Sequence, residues 1–534
     1  MGSLTIPVGW EAASAPVATL FEVFGPAVFW WVLALVAGIT ALAVMRSRPH
    51  VAVALSTLAA LALGLSVDGL VDDAYIQFRY AANLAAGHGP VFNPGERIEG
   101  ASGGLWVGVL ALGNLLTGLE VGIVGRILSL LAAGVGVVTA SVTAAHLGGR
   151  QAGAAAAIAW AFLSTGALYA ACGLETHAFL VALWLAVAGA IGAVPLGVGL
   201  AAGIAVAGLR PEGAILAVLA LPMWRTLERP ARHVVTATIA GGMFAAGLRT
   251  LFYGVALPNS AVVKGMTAAA SLQDGLTYLG HSALENWPLL TVVPLALIKF
   301  KGKALYAVPA VVLAAIVVAR GGDWMPGSRY FGPLLIVLVM SVAIGVEGRL
   351  QRLVLACALA WSAFQLAPIL EPGRLPAGNL WRAMQSHKAQ SKWWEALGTL
   401  FRNATPSGTT LAIGPAGAMP YSSHLETFDL YGLCSEVVDA AEGEPGHRLW
   451  GLRQAVALKT DLIYPGRPVT QDTDQRTILE ESATYFKSNP GALELYQPIL
   501  IRHAAENDTV VLMDVIWVRR GGVDLRGISP GMQR

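Results

Sequence analysis

Apolar segments separated by short polar connections occupy the chain from residue 26 to residue 370. Most of these segments approach the length that an α-helix needs to cross about 30 Å of hydrocarbon. Because several are short or divided by glycine and proline, the pattern predicts about 11–13 membrane helices. The candidate spans are residues 26–45, 50–70, 123–146, 152–171, 178–193, 196–209, 213–224, 233–251, 285–298, 304–319, 330–346 and 353–370.

The pattern changes after Leu370, where no further segment is long and apolar enough to cross a membrane. Residues 371–534 alternate short strand-like runs with helical stretches. The sequence therefore predicts a transmembrane module over residues 1–370, with a long first external loop at 69–122, and an external α/β domain over residues 371–534. The strand-like runs are Leu411–Gly414, Leu462–Tyr464 and Val510–Val518.

An amphipathic helix is predicted at residues 375–400, directly after the last candidate span. Three tryptophans, Trp381, Trp393 and Trp394, occur in this segment. Because indole rings favour the boundary between hydrocarbon and water, we expect this helix to lie along the membrane surface.

The composition agrees with a membrane protein of mostly helical, polytopic architecture. Hydrophobic residues make up 55% of the 534 residues and charged residues 13%, and the mean hydropathy is +0.61. A soluble domain carries about 25% charged residues. The net charge of +2 gives no reason to expect a nucleic-acid partner. Cys172, Cys357 and Cys434 lack metal-ligand spacing, so we expect free thiols and no metal site of this kind.

The distribution of lysine and arginine predicts the orientation of the spans. Connections rich in these residues should be cytoplasmic, and they contain only two acidic residues, Glu228 and Glu347. The alternate connections, which hold most of the unusual acidic residues, should then lie outside. The cytoplasmic basic residues are Arg46, Arg48, Arg150, Arg225, Arg229, Arg232, Lys299, Lys301, Lys303, Arg349 and Arg352.

Two adjacent carboxylates, Asp72 and Asp73, follow the second candidate span. At the membrane surface, desolvation and mutual repulsion should raise the pKa of at least one of them, which suits a general base near neutral pH. The alternative is that the pair caps a helix beginning at Ala74. Both interpretations stay open on the sequence, and a divalent cation at Asp72/Asp73 is an option that no ligand spacing supports.

Other ionisable and aromatic residues lie in short external connections between apolar segments. Charged groups at membrane depth usually have a partner or a function, and arginine and lysine suit a phosphate. Each residue alone also fits interfacial anchoring, and Arg210 and Glu212 could neutralise each other. The candidate binding residues are Arg79, Glu175, Arg210, Glu212, Asn259, Lys264, Asp323, Trp324 and Arg329.

Taken together, these motifs resemble the GT-C superfamily of polytopic glycosyltransferases. The similarity is carried by DDAYIQFRYAANLAAGHGPVFNPGERIEG at 72–100, GLET at 173–176, LRPEG at 209–213, GGDWMPGSRY at 321–330 and AIGPAGAMPY at 412–421. Within the superfamily, they are most similar to the bacterial branch that includes the mycobacterial terminal arabinofuranosyltransferase.

The resemblance implies a transferase that moves a sugar, best arabinofuranose or a related pentose, from a polyprenyl phosphate to a cell-envelope glycan or glycolipid. It implies a catalytic aspartate at Asp72 or Asp73, with Asp72 favoured by its match to the first acid of the family's pair. It also implies that Arg210, Lys264 and Arg329 hold the donor phosphate. The expected location is the outer face of a bacterial cytoplasmic membrane.

Two other classes of protein fit parts of the pattern. A transporter or flippase of a lipid-linked saccharide would also carry charges in its membrane module, but near the midplane and in repeated, broken helices. A non-catalytic scaffold would not need the acidic pair. The clustering of charges on one predicted face and the C-terminal domain favour the transferase.

The predicted orientation can be tested with single cysteines in a cysteine-free variant. Cysteines introduced near Gly87 and Gly443 should react with a membrane-impermeant thiol reagent in intact cells, because both positions are predicted to be external. A cysteine near Gly302 should react only after the membrane is permeabilised. Labelling of the Gly302 position in intact cells would reverse the orientation.

Overall fold

The computed structural model describes residues 3–7, 18–257, 259, 271–300, 307–369, 379–436, 451–466, 483, 486, 491–504 and 511–523. It consists mainly of apolar helices, together with a sheet built largely from the C-terminal region. The predicted mostly helical, polytopic fold with a C-terminal α/β region is therefore confirmed.

Each predicted span contains helix within the described residues. The helices of the first half are α1 (Ala18–Val44), α2 (Pro49–Ser66), α3 (Asp72–Ala85), α4 (Gly104–Thr117), α5 (Val121–Ala161), α6 (Ser164–Tyr169), α7 (Thr176–Ala190), α8 (Leu196–Leu209), α9 (Pro211–Leu219) and α10 (Arg229–Tyr253). The later ones are α11 (Ser271–Glu285), α12 (Trp287–Leu290), α13 (Val293–Phe300), α14 (Val308–Ala319), α15 (Gly332–Gly345), α16 (Gly348–Gln365), α17 (Leu380–Ala404), α18 (Ala418–Ser423), α19 (Leu452–Ala457) and α20 (Ala492–Leu495).

Four helical segments are long and apolar enough to cross a membrane by length and composition, namely Gly25–Val44, Pro49–Ser66, Val121–Ala161 and Arg229–Tyr253. The third is divided at Gly149, whose φ of 79° lies in the left-handed region that favours glycine. Beyond that break, Gly153 packs on Ser141 and Ala145, so the two halves of α5 form a hairpin. The hairpin explains the two spans predicted on either side of Arg150.

Small residues let neighbouring helices approach closely. Gly189 of α7 and Gly199 of α8 touch backbone to backbone, so a side chain at either position would collide with the partner helix. Association of apolar helices in lipid depends on such packing, because the hydrocarbon offers no hydrophobic drive to bring helices together. The glycine and alanine enrichment of the chain therefore supports the bundle.

The six-stranded sheet has the order β1-β5-β6-β4-β2-β3. The strands are β1 (Ser3–Pro7), β2 (Thr410–Ile413), β3 (Glu426–Asp429), β4 (Leu462–Tyr464), β5 (Tyr496–Ala504) and β6 (Val511–Arg519). Strands β4, β2 and β3 are parallel, and β6 runs antiparallel to both β4 and β5. The three predicted strands are present, while β1 pairs in parallel with β5 from the opposite end of the chain.

The helix predicted at 375–400 is present as α17, and two of its three tryptophans are buried in the protein. Trp393 and Trp394 are buried, and the Trp394 indole donates to the Tyr464 hydroxyl at 3.0 Å. The Trp381 indole donates to the Ser66 carbonyl at 2.7 Å. Trp393 and Trp394 therefore pack inside the protein, whereas the half-buried Trp381 lies against the end of α2.

The first loop is fastened to the C-terminal region by buried polar contacts. Asn93 accepts a hydrogen bond from the Thr427 N–H at 3.1 Å and donates to the Thr427 carbonyl at 2.8 Å. Its amide thus covers the edge strand β3, which would otherwise expose unpaired backbone groups. Arg79 donates to the carbonyls of Phe92, Pro420 and Leu425 and to the Asn93 side chain. Arg79 is therefore a structural joint.

Removing this joint should destabilise the protein. Arg79→Met keeps the length of the stem but leaves several buried acceptors without a donor, so we expect a loss of at least about 3 kcal/mol. Thermal unfolding of the purified protein measures the change, with the exposed Arg402→Met on α17 as a matched control. Equal stability of the two variants would contradict the structural role of Arg79.

Candidate functional site

Helix α3 places its polar side chains on two sides. Its N-cap residue is Val71, without a side-chain capping bond, and both aspartates lie in the first turn. Residues three or four apart share a helix face. Asp72 and Arg79 therefore face the C-terminal region, while Asp73 and Gln77 face the loops of the helical bundle.

Asp72 is 9% exposed, and its Oδ1 accepts a hydrogen bond from the Ala418 N–H at 2.7 Å. Ala418 is the first residue of α18, so Asp72 caps that helix rather than its own. Any side chain at Gly417 would collide with Asp72. Burial raises the pKa of Asp72 from 3.8 to about 7, with a further increase from Asp73, while the Ala418 N–H opposes the shift.

Asp73 belongs to a separate ion network. Arg329 donates from Nε to Asp323 Oδ2 at 2.5 Å and from Nη2 to Asp323 Oδ1 at 3.1 Å. The same Nη2 donates to Asp73 Oδ2 at 3.2 Å. The Asp73 side chain is 31% exposed, whereas that of Arg329 is 5% exposed. One guanidinium thus joins the first loop to the loop before α15.

A second ion pair adjoins the first. Arg210 donates to Glu175 Oε1 at 2.6 Å, and Gln77 donates to Glu175 Oε2 at 2.7 Å. Arg210 also donates to the Thr176 hydroxyl at 2.8 Å and, through Nη1, to the Arg329 carbonyl at 3.5 Å. The Arg329 carbonyl therefore links the two guanidinium groups, and four separate segments meet in one network.

Two aromatic rings support these cations. The Tyr330 ring centroid lies 5.2 Å from the Arg329 guanidinium carbon and 5.5 Å from that of Arg210. The Tyr169 ring lies 5.7 Å from Arg329, and its hydroxyl donates to the Pro326 carbonyl at 2.7 Å. Cation–π contacts of this kind strengthen when the groups are shielded from water. Sequence reasoning missed both rings.

Glu285 and Ser328 hold the loop that carries Arg329. Ser328 has a φ of 52°, in the left-handed region that costs a residue with a side chain energy. Its hydroxyl donates to Glu285 Oε2 at 2.5 Å, and the Gly327 N–H donates to Glu285 Oε1 at 3.3 Å. The buried Glu285 thereby stabilises the strained turn. Sequence analysis missed Glu285, although a carboxylate at the start of the apolar segment 285–298 is a signal that could have revealed it.

Trp324 and His387 lie beside the network. Trp324 is 58% exposed and makes an edge-to-face contact with His387, with 5.0 Å between the ring centroids. His387 belongs to α17 and lies within electrostatic range of Asp73 and Asp323. The C-terminal region therefore contributes a side chain to the entrance of the site, which the sequence did not predict.

The remaining predicted residues lie elsewhere or outside the described residues. The Asn259 amide donates to the carbonyls of Gly432 at 2.6 Å and Leu433 at 3.0 Å. Glu212 lies in the first turn of α9, near Arg210, and its Oε2 is buried with no hydrogen-bond partner among the described residues. Lys264 lies outside the described residues. Arg79 uses its donors in the joint described above.

The two adjacent aspartates have different partners, Ala418 for Asp72 and Arg329 for Asp73. Within the described part of the chain, no group of three or more His, Cys, Asp or Glu residues is placed to hold a metal ion. A cation bound by both aspartates would have to draw them away from these partners.

The buried Asp72 carboxyl predicts a specific pH dependence. Because the folded state binds this proton more tightly than the unfolded chain, Asp72 should lower stability progressively as the pH rises from about 4 to about 7. Asp72→Asn keeps the acceptor for Ala418 and cannot titrate. The Tm of Asp72→Asn minus that of the wild type should therefore grow across this window.

Thermal unfolding at several pH values measures that difference, and the exposed Asp274→Asn serves as the control. A constant difference between Asp72→Asn and the wild type from pH 4 to pH 7 would contradict the assignment of this titration to Asp72.

Known proteins share parts of this chain. Residues 379–514 match a family described as a domain of unknown function, DUF8728. The chain is 29% identical over 327 residues to the terminal β-(1→2)-arabinofuranosyltransferase of Mycobacterium tuberculosis, which covers 50% of this chain and 51% of that protein. It is 26% identical over 376 residues to the protein of the same name from Corynebacterium glutamicum, covering 59% and 53% respectively. The matches thus span about half the length of these relatives.

The fold also matches a solved structure, that of an oligosaccharyltransferase from Archaeoglobus fulgidus. The TM-score is 0.50 with 10% sequence identity, over 88% of this chain and 74% of that protein. At this identity the match concerns the fold alone. The resemblance predicted from the motifs is confirmed: the chain is similar in sequence to terminal arabinofuranosyltransferases and has the fold of the GT-C glycosyltransferases.

Proposed function

We propose that this protein is a membrane glycosyltransferase that takes a sugar from a polyprenyl-phosphate donor. The observation that carries the proposal is the juxtaposition of Asp73 with Arg329 in a largely buried network. A base and a phosphate-binding cation are the two groups that such a transfer needs from the protein. Their shielding from water strengthens both electrostatic roles.

Asp73 is the better candidate for the base, although the family resemblance favours Asp72. A general base must come within hydrogen-bond reach of the hydroxyl that it deprotonates. The Asp73 side chain is 31% exposed and lies near the exposed ring of Trp324 through their shared neighbour His387. Asp72 is buried against α18. Geometry therefore supports a catalytic Asp73 and a structural Asp72.

Arg329 is the best candidate to contact the donor phosphate. Its Nε and Nη2 are used by Asp323 and Asp73, whereas its Nη1 makes no hydrogen bond to the residues that the structure describes. This nitrogen keeps two N–H groups that could donate to a phosphate oxygen. Arg210 is engaged by Glu175, Thr176 and the Arg329 carbonyl. We therefore assign Arg210 to holding Arg329 in place.

In the proposed reaction, Asp73 takes the proton of an acceptor hydroxyl as its oxygen attacks the anomeric carbon. The bond from that carbon to the phosphate oxygen breaks, and the departing phosphate gains negative charge that Arg329 stabilises. The prenyl tail would stay in lipid while the sugar lies near Trp324, whose exposed ring offers a stacking surface.

The names of the sequence relatives support a pentofuranose donor, with arabinofuranose first. We propose a cell-envelope glycan or glycolipid as the acceptor and the outer face of a bacterial cytoplasmic membrane as the location. The clustering of the first loop, the bundle loops and the C-terminal region at one end of the helices supports a single reaction face.

Turnover by the purified protein tests this function. Wild type, incubated with a panel of polyprenyl-phosphate sugars that includes arabinofuranose and with envelope acceptors, should transfer one sugar. Asp73→Asn should reduce turnover by about 10²–10⁴-fold while donor binding persists, because a positioned base contributes about that factor. Asp72→Asn should keep most of the activity.

The same assay separates the alternatives. Inactivity of Asp72→Asn with an active Asp73→Asn would return the catalytic role to Asp72. Movement of a lipid-linked saccharide across vesicles without sugar transfer from any donor would favour the transporter. The exposed Asp274→Asn, which leaves the network untouched, controls for losses during purification.

A further inference from the structure

Lys388 is a buried cation without an anionic partner. It lies on α17, is 2% exposed, and packs its aliphatic stem against Gly69 of the first loop. Its ammonium makes no hydrogen bond to the residues that the structure describes, and Asp68 and the Cys172 thiol lie within its electrostatic range. Burial lowers the pKa of Lys388 to about 8, so the group is still mostly protonated at neutral pH.

The charges around Lys388 do not neutralise it. Asp68 is the one carboxylate within electrostatic range of Lys388 among the described residues, and it faces two cations: its Oδ2 pairs with Arg126, while its buried Oδ1 makes no hydrogen bond to the described residues. Arg126 and Lys392 add positive charge in the same region. An uncompensated charge shielded from water costs several kcal/mol, so buried lysines normally have a partner. The arrangement therefore lacks one anion.

Lys388 also lies beside the proposed catalytic network. The buried Cys172 thiol lies within electrostatic range of Lys388 and of two members of the network, Arg329 and Glu175. His387, the preceding residue on α17, contacts Trp324, so α17 passes the entrance of the site, although the Lys388 side chain points about 100° away from that of His387. Sequence analysis does not predict the burial of Lys388, because this residue lies in a segment predicted to run along the membrane surface.

The network itself would repel an anion. It contains three carboxylates, those of Asp73, Asp323 and Glu175, against the two guanidinium groups of Arg210 and Arg329. This leaves an excess of one negative charge. A phosphate bound next to Asp73 would therefore need a further cation, and Lys388 is the cation near the network whose charge is not used by a carboxylate of the described residues.

We propose that Lys388 binds the phosphate of the polyprenyl donor, so that the C-terminal region completes the donor site of the membrane bundle. The inference rests on the proposed function and adds a residue to its site. The anion that Lys388 lacks is then supplied by the lipid. During transfer the same ammonium stabilises the charge that develops on the departing phosphate.

Direct binding of undecaprenyl phosphate to the full-length protein in nanodiscs of neutral phosphatidylcholine tests this assignment. Lys388→Met keeps the apolar stem and removes the charge, so affinity should fall by about 10–100-fold, the loss expected for a charge-assisted contact. Arg402→Met removes a positive charge at an exposed position near the end of α17 and should alter affinity by no more than about 2-fold. Binding of undecaprenol, which lacks the phosphate, should be equal in all three proteins.

A second measurement separates binding from folding. Without ligand, the Tm of Lys388→Met should be equal to or above that of the wild type, since an unpaired buried charge has been removed. Should Lys388→Met not fold, Lys388→Gln provides the same test with a polar side chain. A lower Tm with unchanged affinity for undecaprenyl phosphate would make Lys388 a structural residue and overturn the proposal.

The remaining outcomes are also decisive. Inorganic phosphate binding as tightly as undecaprenyl phosphate would overturn the lipid assignment in favour of a free-anion site. Undecaprenyl phosphate binding that is equal in wild type and Lys388→Met removes Lys388 from the site but leaves the proposed function standing. Absence of binding by the wild type contradicts both.

Discussion

The first turn of α3 imposes the geometry on which the rest of the site depends. Consecutive residues of an α-helix point about 100° apart, so Asp72 and Asp73 cannot face the same partner. Asp72 turns towards α18 and fixes the C-terminal region, while Asp73 turns towards Arg329 and the bundle loops. One short helix thereby joins the C-terminal region to the ion network, because its two adjacent acids make one contact each.

Burial of charge explains why so many segments converge there. Each arginine of the network would be costly alone at this depth, and each is matched by a carboxylate and by backbone or hydroxyl groups. The hydrogen-bonded network contains one more carboxylate than arginines. Its excess negative charge would attract a further cation and would repel a phosphate that has no additional cation beside it. Lys388, contributed by α17, removes that imbalance and connects the C-terminal region to the chemistry of the bundle.

Close packing of uncharged helix residues also supports this network. Helices α7 and α8 meet through Gly189 and Gly199, and the hairpin of α5 closes through Gly153. The contact between Gly189 and Gly199 lies at the opposite ends of α7 and α8 from Glu175 and Arg210, so it sets the relative course of the two helices that carry these residues. A reaction centre needs such rigidity, because a displacement of about 1 Å between reacting groups is enough to reduce the rate strongly.

The sequence by itself determined the helical spans, three strands of the sheet and the set of loops that meet at one end of the bundle. These follow from hydrophobic length and alternation, which are local properties of the chain. It also identified Asp73, Glu175, Arg210, Asp323 and Arg329 as members of one site, because charges at membrane depth are rare enough to stand out.

Only the tertiary structure decided which partner each residue takes. Asp72 meets Ala418 across 346 positions of sequence, and Arg329 meets Asp73 across 256. In the structure, Arg79 connects the first loop to the C-terminal region, and Trp393 and Trp394 of α17 are buried in the core. Strand β1 pairs with β5 from the opposite end of the chain, and Lys388 is buried. Local periodicity fixes the direction of a side chain relative to its own helix, whereas its partner depends on how distant segments pack.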